Sequence, residues 1–236
     1  MHKYKDIWYD QTKVTKYTSK WEQYYDVYET YFTKFVGKSP SVLEIGVDNG
    51  GNLEALYHYF GEGTVLFGFD IRQKFNIEDL NIPSGALSLF HGDQGSPESL
   101  DRFNDIVVNK LSLPLDIILD DGSHYMDHQI LTFKKLFPHM NDGGIYLVED
   151  THSSYMDIFG GKRGAPHTFI EYCKGIVDTL HEDHDPTAPE GGWQSREGNL
   201  YRNIKSIHFY DSVVVIEKGL RQKYQVTYTH RSSYIR

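Results

Sequence analysis

The sequence predicts an α/β fold: a doubly wound, mostly parallel sheet with an antiparallel hairpin at its C-terminal edge and a helical segment ahead of it. Three observations carry this expectation. Short β-branched runs alternate with longer amphipathic stretches, and such runs read as buried parallel strands. Two of them end abruptly in acid pairs, Ile117-Ile118-Leu119 in Asp120-Asp121 and Ile145-Tyr146-Leu147-Val148 in Glu149-Asp150. The connections are short, which implies right-handed crossovers between neighbouring strands.

Along the chain, residues 1–40 read as helical and aromatic. Trp21, Tyr24, Tyr25, Tyr28, Tyr31, Phe32 and Phe35 recur at three- and four-residue steps, predicting one buried stripe that Gly37 and Pro40 then end. Ser41–Gly46 is the first strand, and Gly50-Gly51-Asn52 opens a helix that runs to Phe60. Thr64–Asp70 and Ala86–Phe90 are the next two strands. A helix over Pro97–Leu111 leads to the strand ending at Asp121. Asp127–Phe137 is helical, and Asp142-Gly143-Gly144 turns the chain into the strand ending at Glu149. A helix over His167–His181 precedes the polar stretch Glu182–Leu200, whose Pro and Gly content reads as a lid or irregular loop. Ile207–Lys218 and Lys223–Thr229, divided by Gly219, read as the antiparallel edge pair.

A chain of 236 residues fits one domain with a sizeable core. No apolar run approaches the roughly 20 residues that span a bilayer, and the polar start (Met1-His2-Lys3-Tyr4-Lys5-Asp6) has no apolar signal core. Cys173 is the one cysteine, so no internal disulfide forms and a reducing, cytoplasmic setting is expected. A formal charge of −9 argues against a nucleic-acid track. The basic C-terminal residues Lys218, Arg221, Lys223, Arg231 and Arg236 read as a solvated edge.

In an open α/β sheet, ligands gather beyond the carboxyl ends of the strands. Four carboxylates there would repel one another unless a cation or ligand hydroxyls sat among them. With His124 close behind, the acids read as a divalent-metal site with a base beside it. The turn Glu44-Ile45-Gly46-Val47-Asp48-Asn49-Gly50-Gly51-Asn52 lets backbone approach a ligand at a helix N-terminus, or is simply a tight turn. It has neither the dinucleotide spacing nor a phosphate-loop lysine. Asp70 ends the second strand about twenty residues beyond Gly51, where an acid can accept both ribose hydroxyls. Asp93 follows the third strand. Acids at successive strand ends point to a nucleoside-type ligand.

These segments resemble the class I S-adenosylmethionine-dependent methyltransferases, which implies a Rossmann-like fold. The closer resemblance is to the metal-dependent sugar O-methyltransferases of antibiotic biosynthesis, of the mycinamicin and rhamnosyl types. It is carried by Leu119-Asp120-Asp121-Gly122-Ser123-His124, by Val148-Glu149-Asp150-Thr151-His152, and by Ile207–Ser212 with Val215–Lys218. Ser19-Lys20-Trp21 with Tyr25 and Tyr28 also resembles that family's N-terminal segment, although an Asp is usual where Ser19 stands.

The resemblance implies S-adenosyl-L-methionine bound by Glu44, Gly46, Gly50, Gly51, Asn52, Asp70, Asp93 and Gln94. It implies Mg²⁺ held by Asp121, Glu149 and Asp150, with His124 as general base. Asp120 either binds cofactor or caps the following turn. His128 invites a zinc reading, but the neighbouring donors are hard oxygens that favour Mg²⁺. His181, Asp183, His184 and Asp185 read as a solvated loop tip. His152 and Tyr155 either contact substrate or pack.

The expected reaction is methyl transfer to a hydroxyl of a sugar or glycoside. Three rivals stand beside it: a catechol-like acceptor, a cephalosporin-hydroxylase-like metalloenzyme built on His124 and His152, and a non-catalytic cofactor-binding subunit. A homo-oligomer is open, with the aromatic N-terminal helix as a contact surface. No nucleic-acid or membrane partner is expected.

Overall fold

The computed structural model describes residues 3–181 and 200–221. Within them, seven strands form one sheet: β1 Ser41–Ile45, β2 Val65–Asp70, β3 Leu87–His91, β4 Leu115–Asp120, β5 Met140–Val148, β6 Ile204–Tyr210 and β7 Val213–Lys218. Their spatial order is β3-β2-β1-β4-β5-β7-β6. The pairs from β3 to β5 are parallel, and β7 runs antiparallel to both β5 and β6. The order reverses between β1 and β4, the switch point where ligands bind in such sheets.

The pleat sends successive side chains to opposite faces. Ile117, Leu119, Ile145, Leu147, Val213 and Val215 enter one core, with α3 (Gly51–Phe60) and the N-terminal aromatics. Ile118, Tyr146, Val148, Val214 and Ile216 enter the other, with α4 (Pro97–Asn104), α5 (Met126–Leu136) and α6 (Phe169–His181). Helix α4 begins where the sequence signals it. Ser96 Oγ accepts from Ser99 N at 3.2 Å with Pro97 in the first turn. The chain then continues in a π-helical stretch, Asp105–Lys110.

Several expectations are corrected. The N-terminal segment is not continuous helix: α1 (Tyr4–Trp8) and α2 (Tyr24–Phe32) flank an irregular stretch. Glu54 holds that stretch in place. Its carboxylate accepts from Thr15 N at 2.6 Å, Thr15 Oγ1 at 2.8 Å and Lys16 N at 3.0 Å. Trp21 stands outside the buried stripe and is 46% exposed. Tyr24, Tyr25, Tyr28 and Phe32 are buried in the chain's own core, so that stripe is not a free contact surface. Asp142-Gly143-Gly144 lies within β5, where its register with β4 shifts.

Ile207–Lys218 is not one strand either. It breaks at Asp211-Ser212, where Ser212 takes φ +65°, and the hairpin forms there between β6 and β7. Residues 182–199 of the expected loop, including Asp183, His184 and Asp185, and the expected strand Lys223–Thr229 lie outside the described residues. Among the described residues, no helix is long and apolar enough to cross a membrane.

Candidate active site

The pleat also assigns the strand-end acids. Asp120 follows Ile118 to the second core. Its Oδ1 accepts from Gln94 Nε2 at 2.7 Å and Gly122 N at 3.3 Å, and the Tyr146 hydroxyl donates to Oδ2 at 3.4 Å. Burial pushes this carboxyl up to about 7. Asp121 and Glu149 face the opposite side, beneath the N-terminal segment. There Lys20 Nζ donates to Asp121 and, at 2.8 Å, to Glu149, while the Tyr28 hydroxyl donates to the other Glu149 oxygen.

Burial raises both of these carboxyls, and Lys20 works against that rise. Burial alone would lower the Lys20 ammonium. Asp121, Glu149 and Glu44 outweigh it and raise the ammonium instead.

Asp150 and His124 complete the cluster, and both have positive φ, +51° and +60°. Strained backbone of this kind gathers at functional sites. Asp150 Oδ1 accepts from the Tyr24 hydroxyl, and its Oδ2 lies 3.6 Å from His124 Nε2. The His124 ring meets Phe159 edge-on at 5.9 Å, and its Nδ1 is buried with no hydrogen-bond partner. Asp121, His124 and Asp150 each offer a ligand atom, all within 4.8 Å of one another. Two partly exposed carboxylates and an imidazole gathered this closely suit a divalent cation.

Two adjoining cavities open at the switch point. The larger, about 460 Å³, is walled by Lys20, Trp21, Tyr24, Asp121, His124, Glu149 and Asp150. The smaller, about 150 Å³, is lined by Phe69, Ile71, Gly92, Asp93, Gln94 and Ser123. Gly46, Asp70 and Gly122 border both. Gly46 is required: at φ +81°, a Cβ there would stand 2.1 Å from the Asp121 carbonyl oxygen. Asp70 Oδ2 accepts from Val47 N at 2.9 Å, which ties the β1 turn to the end of β2.

Five residues of the expected cofactor set line neither cavity; one is Asp120, which turns instead to Gln94 and Tyr146 and caps Gly122 N. Glu44 and Asn52 are buried below, with Asn52 Nδ2 donating to Glu44 at 2.6 Å and Asn52 Oδ1 accepting from the Tyr4 hydroxyl at 2.6 Å. Burial lifts Glu44 to about 7. Gly50 and Gly51 serve packing: a Cβ on Gly51 would stand 2.5 Å from the Lys16 carbonyl oxygen, and one on Gly50 would stand 2.8 Å from Leu80. Gly51 docks the N-terminal segment against α3, while Gly50 makes room for Leu80 and Phe75.

That segment supplies the residues sequence reasoning missed. Lys20, Tyr24 and Tyr28 bind the acid cluster, and Trp21 stacks on His152 with ring centroids 4.8 Å apart. The available signal was the resemblance of Ser19-Lys20-Trp21 with Tyr25 and Tyr28, which carried no role for Lys20, Tyr24 or Tyr28. His128 Nδ1 pairs with Ser123 Oγ at 2.8 Å, apart from the acid cluster.

Sheet order and strand-end site together define a Rossmann-like methyltransferase fold. No protein-family model matches the chain. It is 32% identical over 202 residues to the mycinamicin VI 2''-O-methyltransferase of Micromonospora griseorubida, covering 81% of this chain and 47% of that protein. It is also 32% identical over 211 residues to the 8-demethyl-8-alpha-L-rhamnosyl tetracenomycin-C 2'-O-methyltransferase of Streptomyces olivaceus, covering 85% and 52%. Its fold matches a solved structure of the MycE methyltransferase of mycinamycin biosynthesis, in complex with Mg, SAH and mycinamycin VI. The TM-score is 0.73 at 28% identity, covering 92% of this chain and 54% of that one. The chain is thus a homologue of the sugar O-methyltransferases of antibiotic biosynthesis, and it spans about half the length of the relatives it matches.

Proposed function

We propose that this chain is one methyltransferase domain that transfers the methyl group of S-adenosyl-L-methionine, with Mg²⁺, to a hydroxyl of a sugar or glycosylated small molecule. The observation that carries the reading is the meeting of Asp121, His124 and Asp150 over a cavity that shares Gly46 and Asp70 with a second, less polar one. The relatives named above supply the substrate class.

The smaller cavity suits an adenine ring, with Phe69 and Ile71 as apolar walls and Asp93-Gln94 at its polar edge. Asp70, between the cavities, is placed to accept ribose hydroxyls. Asp121 and Asp150 would hold the cation, joined by Glu149 if its present partners release it. A bound Mg²⁺ supplies Lewis-acid charge beside the acceptor hydroxyl. His124 takes the proton of that hydroxyl, a role suited to imidazole near neutral pH. Trp21, with His152 stacked on it, presents an aromatic face at the acceptor side, and such faces suit the apolar face of a sugar ring. Fixing donor and acceptor in line accounts for a further part of the rate.

The iron-dependent alternative needs two histidines with a carboxylate. The described cluster holds one, because His152 stacks on Trp21 and bonds Ser212 Oγ instead. The cofactor assignment is tested by calorimetry with S-adenosylhomocysteine. Asp70→Asn, which keeps the side chain's shape, should lose most of the affinity, and binding equal to the native protein's would remove Asp70 from the ribose site.

A further inference from the structure

Both oxygens of Glu149 are committed, one to Tyr28 and one to Lys20. Tyr28 is immovable by comparison. It is fully buried, stacks on Phe32 at 5.2 Å and meets Tyr4 edge-on at 4.9 Å. Lys20 is different. It is an inward-pointing side chain, 3% exposed, on an irregular strap whose neighbours Ser19, Trp21, Glu22 and Gln23 are all exposed. The strap is anchored behind it at Thr15 and Lys16 and ahead of it where α2 starts at Tyr24. Between those points the chain forms no helix or strand. A turn bonds Tyr24 N to Trp21 O at 3.0 Å, and Glu22 is held by Lys5 and Tyr9 through its side chain, so the backbone at Ser19 and Lys20 is the least tied.

We propose that the Lys20 ammonium is a displaceable occupant of the cation site, holding Asp121 and Glu149 together until a divalent ion expels it. This rests on the Mg²⁺ reading above. Asp121 and the buried Glu149, side by side, need a positive charge between them, and the Lys20 ammonium provides one. An ion of charge two and an ammonium cannot share the same two carboxylates without strong mutual repulsion. Expulsion of Lys20 frees a Glu149 oxygen. The donors can then change from Asp121, His124 and Asp150 to Asp121, Glu149 and Asp150, a hard-oxygen set that suits Mg²⁺ better and leaves the imidazole free to take a proton. Because Trp21 is the next residue, the same movement shifts the ring that stacks on His152 at the cavity wall. Lys20 is therefore a positioning residue that couples cation entry to the acceptor side of the site.

The test is Mg²⁺ calorimetry on native protein, Lys20→Met and Lys20→Arg, with thermal melting and tryptophan emission on the same samples. Lys20→Met should melt lower without Mg²⁺, regain more on adding it, and bind it about tenfold more tightly or better, the scale on which a neighbouring charge alters a site. Lys20→Arg, which keeps the charge, should bind no more tightly than the native protein. In the native protein, Mg²⁺ should change an emission component that Trp21→Phe removes, a readout that needs no Lys20 variant to fold. Affinity unchanged or weakened in folded Lys20→Met, or native emission insensitive to bound Mg²⁺, would overturn the displacement. No Mg²⁺ binding by any of the proteins would remove the metal reading itself, and the displacement with it.

Discussion

Asp121→Asn is expected to abolish Mg²⁺ binding and methyl transfer together. Asp121 stands in both arrangements of the site: it is a partner of Lys20, and it belongs to the trio whose ligand atoms lie within 4.8 Å of one another. Asparagine preserves the shape and removes the charge, so Lys20 would keep Glu149 alone as its carboxylate partner among the metal candidates. Losing an outer supporting group costs a metal site roughly 10–100-fold, and loss of a charged ligand should exceed the upper end of that range. Calorimetry and turnover at saturating cofactor would measure the two effects. A variant that binds Mg²⁺ normally would move the metal away from β4.

His124→Ala should separate chemistry from binding. The variant is expected to keep its Mg²⁺ and S-adenosylhomocysteine affinities while methyl transfer slows by roughly 10²–10⁴-fold, the usual scale for losing a general base. The sign of the pH effect follows from the role. A base must be unprotonated, so acid should slow the native enzyme, and His124→Ala should lack that acid limb. His124 Nε2 lies 3.6 Å from Asp150, close enough for the imidazole to be a ligand beside Asp121 and Asp150. Loss of Mg²⁺ affinity in His124→Ala would make the histidine a ligand and leave the base unassigned.

Much of the fold was legible because the sheet is buried on both faces. A strand in that position is a short β-branched run, and its end shows as an abrupt change to acids, as at Asp120-Asp121 and Glu149-Asp150. The sequence could not tell which acid of each pair enters the cavity. That depends on the pleat, which sends Asp120 to Gln94 and Tyr146 and Asp121 to Lys20. The hairpin was misplaced because Asp211-Ser212 turns without glycine or proline, with Ser212 itself adopting φ +65°.

Lys20 was hidden for a different reason. It meets Asp121 and Glu149 across 101 and 129 residues of sequence, and no local pattern records such a pairing. Gly50 and Gly51 were assigned to the ligand because strand-to-helix glycines commonly face one. Here the close approach is made by the chain itself, by Lys16 at Gly51 and by Leu80 at Gly50.

The most direct measurement is methyl transfer from labelled S-adenosyl-L-methionine to glycosides carrying vicinal sugar hydroxyls, with matching aglycones as controls, in the presence of Mg²⁺ and then of EDTA. The expected result is label on a sugar oxygen of at least one glycoside, none on the aglycones, loss of transfer in EDTA and recovery when Mg²⁺ is restored. Full transfer in EDTA, or label confined to the aglycone, would contradict metal-dependent methylation of a sugar hydroxyl.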